Sequence, residues 1–125
     1  MKNLWILLLL FTLGLQAQWV DDPAVNTVVQ ASAGAKYVAK VAVTPDCNYF
    51  VSWYGGASNL DMNLSYLDHS GVHVWEEGSI KVSTFPQNSW IDDYTMVSDL
   101  EGNAIVFFSD IRNGNKDVVV YKIDP

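Results

Sequence analysis

The chain repeats itself at a period of about 55 residues, and few features restrict a fold more tightly. Trp19 returns as Trp75, and the pair Asp61 and Asp68 returns as Asp117 and Asp124. Trp53 stands shortly before the first aspartate pair, and Phe108 takes its place before the second. A unit of this size in tandem builds stacked copies of one small sheet, because each copy buries its apolar face only against its neighbours.

The local pattern agrees. Beyond residue 18 the apolar runs are short, rich in Val, Ile, Tyr, Phe and Trp, and bounded by Gly, Asn, Asp, Ser or Pro, which is strand-and-turn chemistry. Strands are expected at 25–30, 36–43, 49–54, 62–67, 72–75, 80–84, 94–97, 104–108 and 118–123. Gly55-Gly56, Ser70-Gly71, Glu101-Gly102-Asn103 and Asn113-Gly114-Asn115 supply residues that accept positive φ between them. Asn113-Gly114 is the strongest hairpin signal. Pro45 and Pro86 fall between strands, where a missing N–H breaks no ladder. The runs 105–108 and 118–120 are apolar without alternation, which predicts strands covered on both faces.

The first 18 residues read as a signal peptide: Lys2, an apolar stretch from Leu4 to Leu15, then a polar turn with the small Ala17. That stretch is short of the ~20 residues a membrane-spanning helix needs, so no span is expected after cleavage, and the protein is expected to be secreted or at the cell surface. The whole chain carries a formal net charge of −7, which argues against nucleic acid as a partner. The single Cys47 has no partner for an internal disulfide and reads as a small strand or turn residue, so packing must supply the stability.

The segment 100–117, Leu-Glu-Gly-Asn-Ala-Ile-Val-Phe-Phe-Ser-Asp-Ile-Arg-Asn-Gly-Asn-Lys-Asp, together with Tyr121-Lys122-Ile123-Asp124, resembles a repeat of secreted bacterial β-propeller-like proteins. Those repeats run from a Gly-rich turn through an apolar strand ending in Trp to Asp-x-Arg-x-Gly-x-x-Asp, then Ile-Asp-x-x-Gly-x-x-x-Trp. Asp68 to Trp75 is similar to that last piece. The chain departs from the pattern with Phe108 for the usual Trp and with Gly55-Gly56-Ala57-Ser58 where Asp-x-Arg would stand. The resemblance covers nearly all of the chain after residue 18. It implies exported proteins, some with C-terminal sorting domains, and no catalytic residue set.

Candidate sites are weak beside this. Asp110, Asn113, Asn115 and Asp117 offer four oxygen-bearing side chains in one loop, as calcium needs, but a polar hairpin with Arg112 pairing a nearby Asp explains the loop better. Ser65, Asp68, Gly71 and Trp75 loosely follow the Asp-box of sialidase-type propellers, itself a structural brace. The acid pairs Asp21-Asp22, Glu76-Glu77 and Asp92-Asp93 precede strands, where neighbours point to opposite faces and do not clamp a sugar as glycosidase carboxylates do. His69 and His73 lack a third metal ligand. Trp19, Trp53 and Trp75 recur with the repeat and read as core anchors. Trp90 and Tyr54 do not recur, which makes them the aromatic candidates for a sugar or protein contact.

The expected fold is therefore all-β, built of four-stranded antiparallel blades of a propeller with about two blades present. Residues 19–34 are an orphan outer strand, 35–90 a complete blade and 91–125 a partial one. Two open blades leave apolar faces bare. The chain then either belongs to a longer protein or completes a ring by self-association, and the stop within a unit favours the longer protein. The expected function is a non-catalytic binding or scaffold module for a protein or glycan ligand, with no metal and no cofactor. The alternative is the N-terminal part of a polysaccharide-acting propeller enzyme, glycosidase or sialidase-like.

Overall fold

The computed structural model describes residues 24, 26–56, 60–85 and 93–125. Residues 1–18, the expected signal peptide, and Trp19, Asp21-Asp22, Pro86, Trp90 and Asp92 lie outside the described residues. Seven strands run in chain order: β1 (Lys36–Val43), β2 (Tyr49–Gly55), β3 (Asp61–Leu67), β4 (Ile80–Ser83), β5 (Thr95–Ser98), β6 (Ala104–Asp110) and β7 (Asp117–Ile123). They form two antiparallel meanders, a four-stranded sheet in the order β1-β2-β3-β4 and a three-stranded sheet in the order β5-β6-β7. The fold is all-β, and no helix among the described residues is long and apolar enough to cross a membrane.

The sequence period is also the structural register. In the first sheet Val41 faces Val51 and Trp53 faces Asn63. In the second, Met96 faces Val106 and Phe108 faces Val119. Each member of the second set lies 55 or 56 positions after its counterpart, so β5, β6 and β7 are β1, β2 and β3 made again.

The turns repeat as well. Thr44 to Asn48, Asp68 to Val72 and Asp99 to Asn103 are three versions of one five-residue turn. In each, the first N–H donates to the fifth carbonyl, at 2.9, 2.8 and 3.0 Å, and the fourth N–H donates back to the first carbonyl. The first side chain then accepts the fifth N–H, from Thr44 Oγ1 at 3.1 Å, Asp68 Oδ1 at 3.0 Å and Asp99 Oδ1 at 2.9 Å. The fourth residue is left-handed: Cys47 at φ 62°, Gly71 at 85° and Gly102 at 87°. Short polar side chains that cap their own turn, followed by a residue tolerant of positive φ, produce this geometry.

One face of the first sheet meets one face of the second. Phe50, Tyr54, Met62, Leu64 and Tyr66 pack with Tyr94, Met96, Ala104, Val106 and Phe108 in a single core, with Trp75 against its margin. Phe50 stacks on Tyr66 at 4.6 Å, and Tyr54 meets Tyr94 edge-on at 5.0 Å. The two faces are not equivalents of each other. Phe108 points into the core, whereas its counterpart Trp53 lies on the opposite side of its own sheet, so the sheets stack front to back.

Four expectations need correction. Residues 26–30 form no strand; they run irregularly to a segment lying over the Trp53 end of the first sheet, where Gln30 Nε2 donates to Ser79 Oγ at 2.9 Å. Residues 72–75 contribute only the isolated bridge between Leu67 and His73, because the chain turns again at once, the Gly78 N–H closing on the Trp75 carbonyl at 2.9 Å. Asn113-Gly114 is no two-residue hairpin: Gly114 alone is left-handed, at φ 81°, and its N–H closes a turn on the Ile111 carbonyl. The runs 105–108 and 118–120 do alternate in the fold. Val106 and Phe108 are buried while Phe107, Val118 and Val120 stand exposed.

Candidate functional site

Tandem repetition leaves the molecule with two unequal free faces, and both carry features that the internal packing does not use. The first is the side of β1–β3 that holds Trp53. A bulge in β1, where Val38 and Ala39 stand against one residue of β2, has its first residue, Val38, in the left-handed region at φ 54°. The extra residue turns Lys40 toward the second sheet, where it pairs with Asp93 at 2.7 Å and lies over the Tyr94 ring. Ala39 is thereby sent to the Trp53 side. There, with Val29, Gln30, Lys36, Val51 and Trp53, it lines a mainly apolar depression of about 240 Å³.

A polar cleft of about 210 Å³ continues from the depression, lined by Gln30, Ser32, Lys36, Trp53, Asn63 and Lys81 among others. Its polar groups are already oriented. The Lys36 ammonium donates to the Ser32 and Gly34 carbonyls, and Asn63 Nδ2 donates to the carbonyls of Gly55 at 3.1 Å and Asp61 at 2.8 Å. Lys81 holds the buried Asp61 at 2.8 Å through Oδ2, and Asp61 Oδ1 has no partner among the described residues. Gly55 is required here because a Cβ would sit 2.7 Å from the Ala35 carbonyl. Among the described residues the lining contains no carboxylate, histidine or cysteine; it offers hydrogen bonds, two ammonium groups and an apolar floor.

The second free face is the outer side of the second sheet. Val97 is 47% exposed, Phe107 41%, Val118 77% and Val120 54%. Cross-strand pairing puts Val97 opposite the part-buried Ile105 and Phe107 opposite Val120, so these side chains form one apolar patch. At the rim, Lys122 pairs with Asp99 and Glu101, each at 2.9 Å. Hydrogen bonds from Asn103, then from Lys122, hold the Asp99 carboxyl well below the usual carboxylate range, and the same two acids raise the Lys122 ammonium.

The residues singled out from the sequence fall elsewhere. Tyr54, offered as a contact aromatic, is fully buried between the sheets. Trp53 is buried too, beneath the segment before β1 rather than in the inter-sheet core. Trp75 does belong to the core margin, 5.9 Å from Tyr66. Asp110 is held by Arg112, whose Nε donates at 2.9 Å; the guanidinium also lies 4.7 Å from the Phe85 ring and donates to Tyr121 Oη at 3.0 Å. Asn113 donates to Asp117 at 2.7 Å, which makes this loop a braced hairpin. Cys47 is an exposed turn residue. Among the described residues no three His, Cys, Asp or Glu side chains gather as a metal site. Sequence reasoning missed Ala39 and Phe107, although their positions in the repeat were on view.

Compared with known protein families, characterised proteins and solved structures, the chain matches none. The fold and its two free faces therefore stand as the basis for any reading: an all-β protein of tandem, front-to-back sheets.

Proposed function

We propose that the chain is an exported, non-catalytic segment of a β-propeller that serves as a binding or scaffold module, its two sheets being consecutive blades. The observation that carries this reading is the conserved register combined with opposite facing. Trp53 and Phe108 occupy the same position in their sheets, yet Phe108 contacts the neighbouring sheet and Trp53 faces away from it. Sheets related in this way repeat by rotation about an axis rather than by pairing across a two-fold, as propeller blades do. The leader-like residues 1–18 support export, and the Trp53 cleft, with its amides and ammonium groups, supports binding rather than bond cleavage.

The test is to present the full chain with a panel of polysaccharides and surface proteins and follow retention and released reducing ends separately. The reading predicts retention on at least one of them without release. Reducing ends released by the purified chain, and lost with it on heating, would support the polysaccharide-acting enzyme and overturn the non-catalytic reading. N-terminal sequencing of the exported form should find the chain beginning near residue 18.

A further inference from the structure

We propose that the outer face of the second sheet binds the Trp53 face of the first sheet in a second copy of this chain, with Phe107 seated in the depression beside Ala39. The inference rests on the reading of the two sheets as consecutive repeats, and it specifies the partner. The internal interface is its template. There Ser52 Oγ lies 2.8 Å from Tyr94 Oη, a small residue of the first sheet against a large one of the second. One repeat on from Ser52 is Phe107, and one repeat back from Tyr94 is Ala39. Both equivalents are on free faces: Phe107 is exposed on the outer face, and Ala39 lines the 240 Å³ depression.

The sizes have changed places. Ser against Tyr inside the molecule becomes Phe against Ala between molecules, so the pair keeps comparable bulk with its knob on the other sheet. Around it the apolar character is kept on both sides. Met62 and Leu64 of the template become Val118 and Val120, and Met96 becomes Val41, which stands exposed on the Trp53 face. The charged pair of the template has no charged counterpart: Lys40 becomes Thr95, and the position of Asp93 falls on Val38, which packs against the inter-sheet core. The one charge in the lining of the depression, the Lys36 ammonium, is already bonded to the Ser32 and Gly34 carbonyls, which leaves the rest of the hole suited to apolar docking. Such a contact is head-to-tail, and it closes into a ring or continues as a filament according to its rotation.

The experiment follows association of the full chain by light scattering and by short bis-maleimide cross-linking, in a Cys47→Gly background. Phe107→Asp and Ala39→Tyr should each abolish self-association, weakening it at least about tenfold. Mixed together they should form one-to-one pairs, because the first keeps the depression and the second keeps Phe107. The double variant Phe107→Ser with Ala39→Tyr rebuilds the internal Ser–Tyr pair and should restore association. Cross-links are expected between cysteines at Val120 of one copy and Val41 of another. Association unchanged by Phe107→Asp, as the apolar leader alone would cause, overturns the proposal. So does an Ala39→Tyr chain that still pairs through two outer faces, or a wild-type chain that stays monomeric because a different sheet is the natural occupant. Cysteines at Ser52 and Tyr94 within one chain give the control. If they cross-link internally and the intermolecular pair does not, only the docking fails; if they do not, the stacking of the sheets fails with it.

Discussion

The hydroxyls of Ser52 on β2 and Tyr94 just before β5 meet at 2.8 Å, joining the two sheets by a hydrogen bond buried at their shared face. Burial pushes the Tyr94 phenol up to about 12, against the smaller opposing effect of the bond to Ser52. The folded state thus holds the phenol proton more tightly than the unfolded chain does. Stability due to this group is complete below pH ~10, the unfolded value, and is lost as pH rises toward 12. Denaturant titrations across that range should show the decline, and Tyr94→Phe should flatten it. At neutral pH the same variant should lose about 1–3 kcal/mol, because Ser52 is left buried without its partner.

Cys47 occupies with φ 62° the place that Gly71 and Gly102 hold in the two equivalent turns. A side chain in the left-handed region costs roughly 1–2 kcal/mol. Cys47→Gly should therefore stabilise the protein by about 1 kcal/mol, the unfolded chain's added freedom taking back part of the gain. A raised denaturation midpoint with an unchanged denaturant slope is the expected readout.

Asp110 is fully buried and depends on Arg112, which is 24% exposed. Arg112→Ala should cost on the order of 2 kcal/mol, less than the loss of one partner from a wholly buried ion pair. Arg112→Lys should recover little, since a point charge replaces neither the forked bond to Asp110 nor the stacking over Phe85. Thermal unfolding of the two variants side by side decides this.

Asp68, Asp93, Asp99 and Asp110 are all held below the ordinary carboxylate range by hydrogen bonds or cations. Each is depressed in the fold, so its contribution is present above pH ~4 and is lost as pH falls through its folded value. Stability should decline below pH ~4, and Asp99→Asn should make the decline shallower. A stability curve flat from pH 5 down to 2 would contradict these hydrogen bonds.

Much of the fold was legible in the residues. The period located β1–β3 and β5–β7 within a residue or two, since strand residues and turn residues alternate cleanly along 36–68 and 94–124. Residues 26–30 deceived because Val28 and Val29 have strand propensity but find no strand to pair with among the described residues. Residues 72–75 pair only at His73, because the turn from Trp75 to Gly78 ends the segment before a strand can extend. The unbroken apolar runs in β6 and β7 predict cover on both faces, and the fold covers one, leaving Phe107, Val118 and Val120 exposed on the other. The site was harder to see. Ala39 matters through a bulge, and a bulge is set by one left-handed Val38 that no propensity would predict.

The two sheets are successive copies stacked front to back. Proton–proton contacts between aromatic rings in solution test it most directly. Strong contacts are expected between Tyr94 and Tyr54, whose ring centres lie 5.0 Å apart, and none between Tyr94 and Trp53. Contacts from Tyr94 to Trp53 in place of Tyr54 would put the second sheet on the other face of the first and rule out front-to-back stacking.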